Sequence, residues 1–323
     1  MKSNSTGRIR MVVAAIIIML TGNLYAQSIE QAAELFNEGR AFINEGNNKA
    51  AIDKLEASIR MCEEIGEEGD ELRNQAISVV PNLYYNHSKS LFDANQIEES
   101  ILMYRKTLEV AQKYNNLEVF TMTNNVLAQL FLKNGNDKFR EKDYEAAVSD
   151  LKKSLEFDPK NTTTLLLMAY SYRRLDSTEA MINYFKATID AGEQNDRNAP
   201  KAAEALMGHY MNTGARLLNA RNTADGLKYL DTAATYGESG DLWYYYAVGY
   251  NIEQKYDQAI EAAEKAITLD PNNKENVAKY NFEIGSAYYG KKDNAKACEA
   301  YVKANFGRTA LRAEPMIKSL KCK

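Results

Sequence analysis

Apolar residues recur at helical spacing along most of the chain. Between Trp243 and Tyr250, positions 243, 246, 247 and 250 share one face of a helix with about 3.6 residues per turn. A polar break at Gln254-Lys255 follows, and Ala259, Ala263 and Ala266 then mark the face of a second helix. Asp270-Pro271 closes that helix, because proline has no N–H to donate and pushes the preceding residue away from helical geometry. The same grammar returns at Gly135, Phe139, Tyr144, Ala147, Leu151 and Leu155, ending in Asp158-Pro159, and again at Gly285, Tyr288, Ala297, Tyr301 and Ala304. Fainter copies centre on Gly39 with Ala51 and Leu55, Ser88 with Ser100 and Tyr104, Ala169 with Ala180 and Tyr184, and Gly214 with Gly226 and Leu230. The pattern predicts an all-α chain of about seven helix pairs.

These residues resemble the tetratricopeptide repeat, a helix–turn–helix unit of about 34 residues. The unit at 243–273 carries nearly all of that family's signature. The small residues at 39, 88, 135, 169, 214, 247 and 285 occupy the close-approach position of each first helix. Only the steps from Gly135 to Ala169 and from Gly214 to Ala247 approach the family length, so the long steps imply extended helices over 71–95, 117–142 and 201–220. Pro81 lies inside the first of these and predicts a kink or restart. The resemblance implies a right-handed superhelical solenoid over 27–306, in which each pair is covered by the next. Residues 307–323 form a capping helix and tail, with Ala310, Leu311, Met316, Ile317 and Leu320 as its apolar face and Pro315 as a source of kinking.

The start of the chain breaks the pattern. Lys2, Arg8 and Arg10 precede an uninterrupted apolar run, Met11–Leu20, and Leu24-Tyr25-Ala26 follows. The run would span about 15 Å as a helix, half the core of a bilayer, so it predicts a secretory signal over 1–26 rather than an anchor. The expected setting is the periplasm, without stable membrane insertion. In an oxidising compartment, three cysteines allow one intrachain bridge. Cys298 on the last repeat and Cys322 beyond the cap form the expected pair, which would staple the cap to the array. Cys62 is expected to pack in the first repeat.

Candidate chemistry is sparse. His87 and His209 are the only imidazoles and sit in separate repeats, outside any zinc or nucleophile motif. Gly237-Glu238-Ser239-Gly240 lacks the lysine of a phosphate loop. No enzyme activity, metal or cofactor is expected. A formal charge of −4, with a basic first segment, argues against a nucleic-acid partner.

Binding is the remaining reading. In the resembled family the first helix of each pair faces a concave groove that holds peptides. That register points inward Phe36, Arg40, Tyr85, Phe92, Phe139, Tyr170, Arg173, Tyr244, Asn251, Phe282 and Tyr289. Aromatics and arginine are the residue types that dominate binding energy at interfaces. The two-repeat Lys/Asn clamp of a family subset is not met, since Phe36 with Arg40 and Leu132 with Asn136 stand in its place. The sequence therefore predicts a non-catalytic scaffold for protein or peptide segments, in the bacterial envelope and of open oligomeric state. The alternative is a carbohydrate or small-ligand binder that uses some of the 21 tyrosines.

Overall fold

A computed structural model describes residues 28–322; the expected signal segment, 1–26, lies outside the described residues. Helices run in consecutive pairs: α1 (28–44) with α2 (Asn48–Ile65), α3 (Asp70–Asp93) with α4 (Ile97–Lys113), and α5 (Leu117–Arg140) with α6 (Tyr144–Phe157). There follow α7 (Thr162–Arg174) with α8 (Thr178–Ala191), α9 (Ala199–Asn219) with α10 (Thr223–Ala234), α11 (Gly240–Ile252) with α12 (Tyr256–Leu269), and α13 (Lys274–Gly290) with α14 (Asn294–Ala304). A last helix, α15 (Ala310–Leu320), follows a single 3-10 turn at Gly307–Thr309. No strand occurs among the described residues, and the all-α architecture of seven helix pairs and a terminal helix is the one the periodicity predicts. The chain forms two compact units. One gathers the residues up to Asp137 with Ser149–Pro159, and the other gathers Lys138–Val148 with the residues from Lys160 onward.

Every pair is closed by the same turn. The second residue past the first helix takes a left-handed conformation: Gly46 (φ 74°), Asn95 (61°), Lys142 (67°), Asp176 (54°), Arg221 (64°), Gln254 (61°) and Lys292 (65°). The next N–H then reaches back over the helix end, as from Gln96 to the Leu91 carbonyl (2.9 Å), Lys255 to Tyr250 (2.9 Å) and Asp293 to Tyr288 (3.0 Å). This bond satisfies a carbonyl that the helix end would otherwise leave unpaired. The same residue starts the second helix. The side chains of Asn47, Asp143 and Asp293 accept from the backbone N–H groups of Ala50, Ala146 and Lys296.

Close packing within pairs follows the small residues. A Cβ on Gly285 would lie 2.7 Å from the Tyr301 ring, and one on Gly214 would lie 2.9 Å from the Gly226 carbonyl, so only glycine permits these approaches. In the first unit buried hydroxyls take the same positions and find partners. Ser58 donates to the Ala32 carbonyl (2.8 Å), Ser100 to that of Ser88 (2.9 Å), and Ser88 pairs with Thr107 (3.0 Å).

Of the proline expectations, the restart at Pro81 needs correction. Helix α3 continues through Pro81 without a restart, its proline buried, and α15 is a single helix with Pro315 inside. Packing of the flanking Val80, Leu83 and Tyr84 into the core of the first unit offsets the lost backbone bond. At the other end, Cys298 and Cys322 are joined by a disulfide (S–S 2.01 Å, Cα–Cα 5.3 Å), and Cys62 is free and buried.

Candidate functional site

The sequence-predicted contact residues fall into three structural groups. Phe36 and Phe282 are core residues, only 8% and 9% exposed, which corrects their placement in a groove. Each lies three positions before the small residue of its helix, Gly39 or Gly285, and positions three apart share a helix face. The face that packs on the second helix therefore buries both rings. A second group is engaged internally. Tyr85 meets Tyr104 edge-on (5.8 Å), Phe139 meets Tyr144 (5.4 Å), and Tyr244 lies between Tyr245 (5.1 Å) and Tyr280 (5.9 Å). Asn251 donates to Glu283. Arg40, Phe92, Arg173 and Tyr289 are exposed, and Tyr170 is half-buried.

Tyr170 and Arg173 come together in a concavity of the second unit, a cavity of about 1110 Å³ walled by α7, α8, α9 and α10. Tyr170 meets Phe185 of α8 edge-on at 5.3 Å and forms one wall. Helix α9 supplies the longest wall, with Lys201, Gly208, Asn212 and Arg216 recurring at helical spacing along one face. Tyr210 and Tyr229, with rings 6.2 Å apart, line it as well. Gly208 keeps the wall open, since a Cβ there would meet nothing within 4 Å.

The connection between α8 and α9 holds these walls in register. Asp196 accepts from the backbone N–H groups of Asn198 and Ala199, each at 2.7 Å, and so caps the start of α9. The same carboxylate accepts from Thr162 at the start of α7 (2.8 Å). These bonds, led by that from Ala199, lower the Asp196 pKa. Asn198 adds a bond to Thr162 (3.2 Å), so the first turns of α7 and α9 are tied through one polar cluster.

Electrostatically the cavity runs against the rest of the chain. Arg173, Lys201 and Arg216 face a single lining carboxylate, Glu204, although the whole sequence carries a formal charge of −4. Among the described residues, none of these three bases is ion-paired with a carboxylate. His209 lines the same space, and burial, followed by Arg173 and Arg216, pushes its pKa below the ordinary 6.5. These surroundings favour the neutral imidazole. Sequence reasoning missed Lys201, Gly208, His209, Tyr210 and Arg216. Their signal was the basic and small residues spaced along one face of α9, which lie off the register set by Gly214.

No cluster of three or more metal-ligating side chains exists among the described residues, and no described helix is long and apolar enough to cross a membrane. His87 is half-buried, and burial, then Lys49, lowers its pKa.

Comparison with known proteins agrees with the local architecture. The tetratricopeptide repeat model matches residues 138–161 and 241–273. A repeat-containing protein of this type from Methanocaldococcus jannaschii is 24% identical over 243 residues, covering 72% of this chain and 39% of its own length. The chain thus spans well under half of that relative. Among solved structures, the MamA protein is 23% identical, with a TM-score of 0.36, over 60% of this chain and 94% of its own. YrrB, described as a tetratricopeptide repeat protein with an unusual peptide-binding site, is 20% identical, with a TM-score of 0.36, over 57% and 90%. A tetratricopeptide repeat protein from Parabacteroides merdae is 15% identical, with a TM-score of 0.30, over 91% and 99%.

Proposed function

We propose that this chain is a non-catalytic tetratricopeptide repeat scaffold that binds extended protein segments, and that it does so in the cell envelope after export. The observation that carries the binding reading is the cavity between α7 and α10, about 1110 Å³, where Tyr170 and Tyr210 stand beside the unpaired Arg173 and Arg216. That volume is large enough to take a short peptide segment. Aromatic faces supply contact area at low entropy cost, and their hydroxyls serve the amides of an extended chain. The export reading is supported by the basic and apolar pattern before Gln27 and by the Cys298–Cys322 bond, a feature suited to an oxidising compartment.

A photoreactive residue in place of Tyr229, which is 39% exposed at the rim, tests the binding reading in envelope fractions. Cross-links to polypeptide are expected. Retention of glycans alone would favour the carbohydrate alternative and remove this one. Mass spectrometry of the purified chain should find Gln27 as the first residue, and an intact 1–26 segment on cytoplasmic protein would count against export.

A further inference from the structure

We infer that the cavity between α7 and α10 selects acidic protein segments, reading the carboxylates of aspartate or glutamate side chains or of a chain terminus. The inference rests on the peptide-binding reading and adds the chemistry of the partner. Three bases and one acid line a concave space in an otherwise acidic chain, so the local charge is not a by-product of composition. None of the three makes an ion pair with a carboxylate among the described residues, although Lys201 also feels the charge of Asp196 at the start of α9.

Their placement favours several single charges over one multiply charged group. Arg173 comes from α7, whereas Lys201 and Arg216 come from the opposite ends of α9. Cations distributed along a wall match carboxylates distributed along an extended segment, and each guanidinium offers a planar pair of donors to a carboxylate. Glu204 on the same wall penalises a segment with a carboxylate at its own position, and so sets a register. Tyr170 and Tyr210 line the same space, so a bound segment would pack on their rings beside these pairs.

The test is binding of the intact mature chain to a degenerate peptide array whose members range from strongly acidic to strongly basic, each made with a free and with an amidated terminus. Enrichment of acidic members is expected, with affinity falling steeply with added salt. The best acidic peptide should bind at least about tenfold more tightly than its Asn/Gln counterpart. The double variant R173Q/R216Q should remove that preference while leaving helicity and thermal midpoint unchanged. Loss of binding on amidation alone would assign the chain terminus as the source; insensitivity to amidation would assign side chains. Equal binding of acidic and neutral members would overturn the charge selectivity and leave the peptide-binding reading standing. Binding of no member at all would remove both. A phosphopeptide that outcompetes its aspartate counterpart in proportion to its extra charge would replace carboxylate by phosphate as the ligand.

Discussion

The Asn251 side-chain amide donates to both the backbone carbonyl and the carboxylate of Glu283, at 3.0 Å each, and so ties α11 to α13. Glu283 is nearly inaccessible, and its other partner is Arg312 of α15 at 3.5 Å. Burial outweighs these partners and raises the Glu283 pKa above 4.5. In the window between 4.5 and that raised value, the native state holds more protons than the unfolded state, so stability falls as pH rises through it. Glu283→Gln keeps an acceptor for Asn251 without the buried charge. Denaturant titrations at falling pH should show the wild type gaining stability relative to the variant as Glu283 takes up its proton, the contributions of His87 and His209 being common to both. At pH 7 the variant should be neutral or about 1 kcal/mol more stable. Glu283→Ala should lose on the order of 1–3 kcal/mol, because Asn251 loses its carboxylate acceptor and keeps only the backbone carbonyl, and the buried side chain leaves a void.

Gly208 sits in the middle of α9, where glycine costs up to about 1 kcal/mol relative to alanine. Since an added Cβ meets nothing, Gly208→Ala should raise the thermal midpoint. Gly208→Trp should fill the cavity and abolish segment binding with the circular dichroism spectrum unchanged. A tryptophan variant that folds and still binds would place the binding site elsewhere.

The turns offer a second stability test. Non-glycine residues in the left-handed region cost roughly 1–2 kcal/mol, less for Asn and Asp. Gln254→Gly and Lys292→Gly should therefore each stabilise the chain by up to about 1 kcal/mol after the entropy cost of glycine. Asn95→Gly should change little. Urea midpoints of the three variants, compared at equal slope, check the order.

Cys298–Cys322 closes a loop across a sequence separation of 24 residues, which ties the end of α15 to α14. Loop closure of this kind contributes about 3 kcal/mol. The helix also packs Ala313, Met316, Ile317 and Leu320 around Ala297, Tyr301 and Ala304, so reduction should loosen the cap rather than unfold the array. Hydrogen exchange should rise over 310–320 in Cys322→Ser and stay unchanged in α9. Unaltered exchange at the cap would mean that the apolar contacts alone hold it.

Helix pairing was legible because Ala259, Ala263 and Gly285 leave a spacing that only helix-on-helix contact explains. The extended helices were legible too, from the scarcity of breakers over 117–142 and 201–220. Side-chain direction was less so. The small residue of a first helix marks the packed face, yet Phe36 and Phe282, three positions earlier, were assigned to the opposite one. The turns were hidden for a different reason: glycine, the usual marker of a left-handed residue, occupies only the first of the seven. The cavity depended on α8, α9 and their connection through Asp196, a juxtaposition that single-helix periodicity does not encode.

His209 gives the cavity a pH dependence of definite sign. Arg173 faces it from α7 and Arg216 from its own helix, while Lys201 and Glu204 complete the charged lining of α9. Helix α8 lines the space with Thr178, Met181, Ile182 and Phe185 and brings the charge of Lys186 to bear on Tyr210, while α10 lines it with Tyr229. In the free protein, the depressed pKa means that the unfolded state takes up a proton first as pH falls through 6.5, and stability declines until the folded pKa is reached. An acidic segment in the cavity reverses the local field and raises the His209 pKa, so binding takes up a proton. Affinity should therefore rise as pH falls from about 7.5 to about 5.5, and fall again once ligand carboxylates protonate near about 4. Calorimetry in buffers of different ionisation enthalpy should detect that proton uptake at pH 6 and none in His209→Gln, whose affinity should be flat across the same range. Proton release by the wild type, or an unchanged profile in the variant, would show that His209 does not sense the occupant of the cavity.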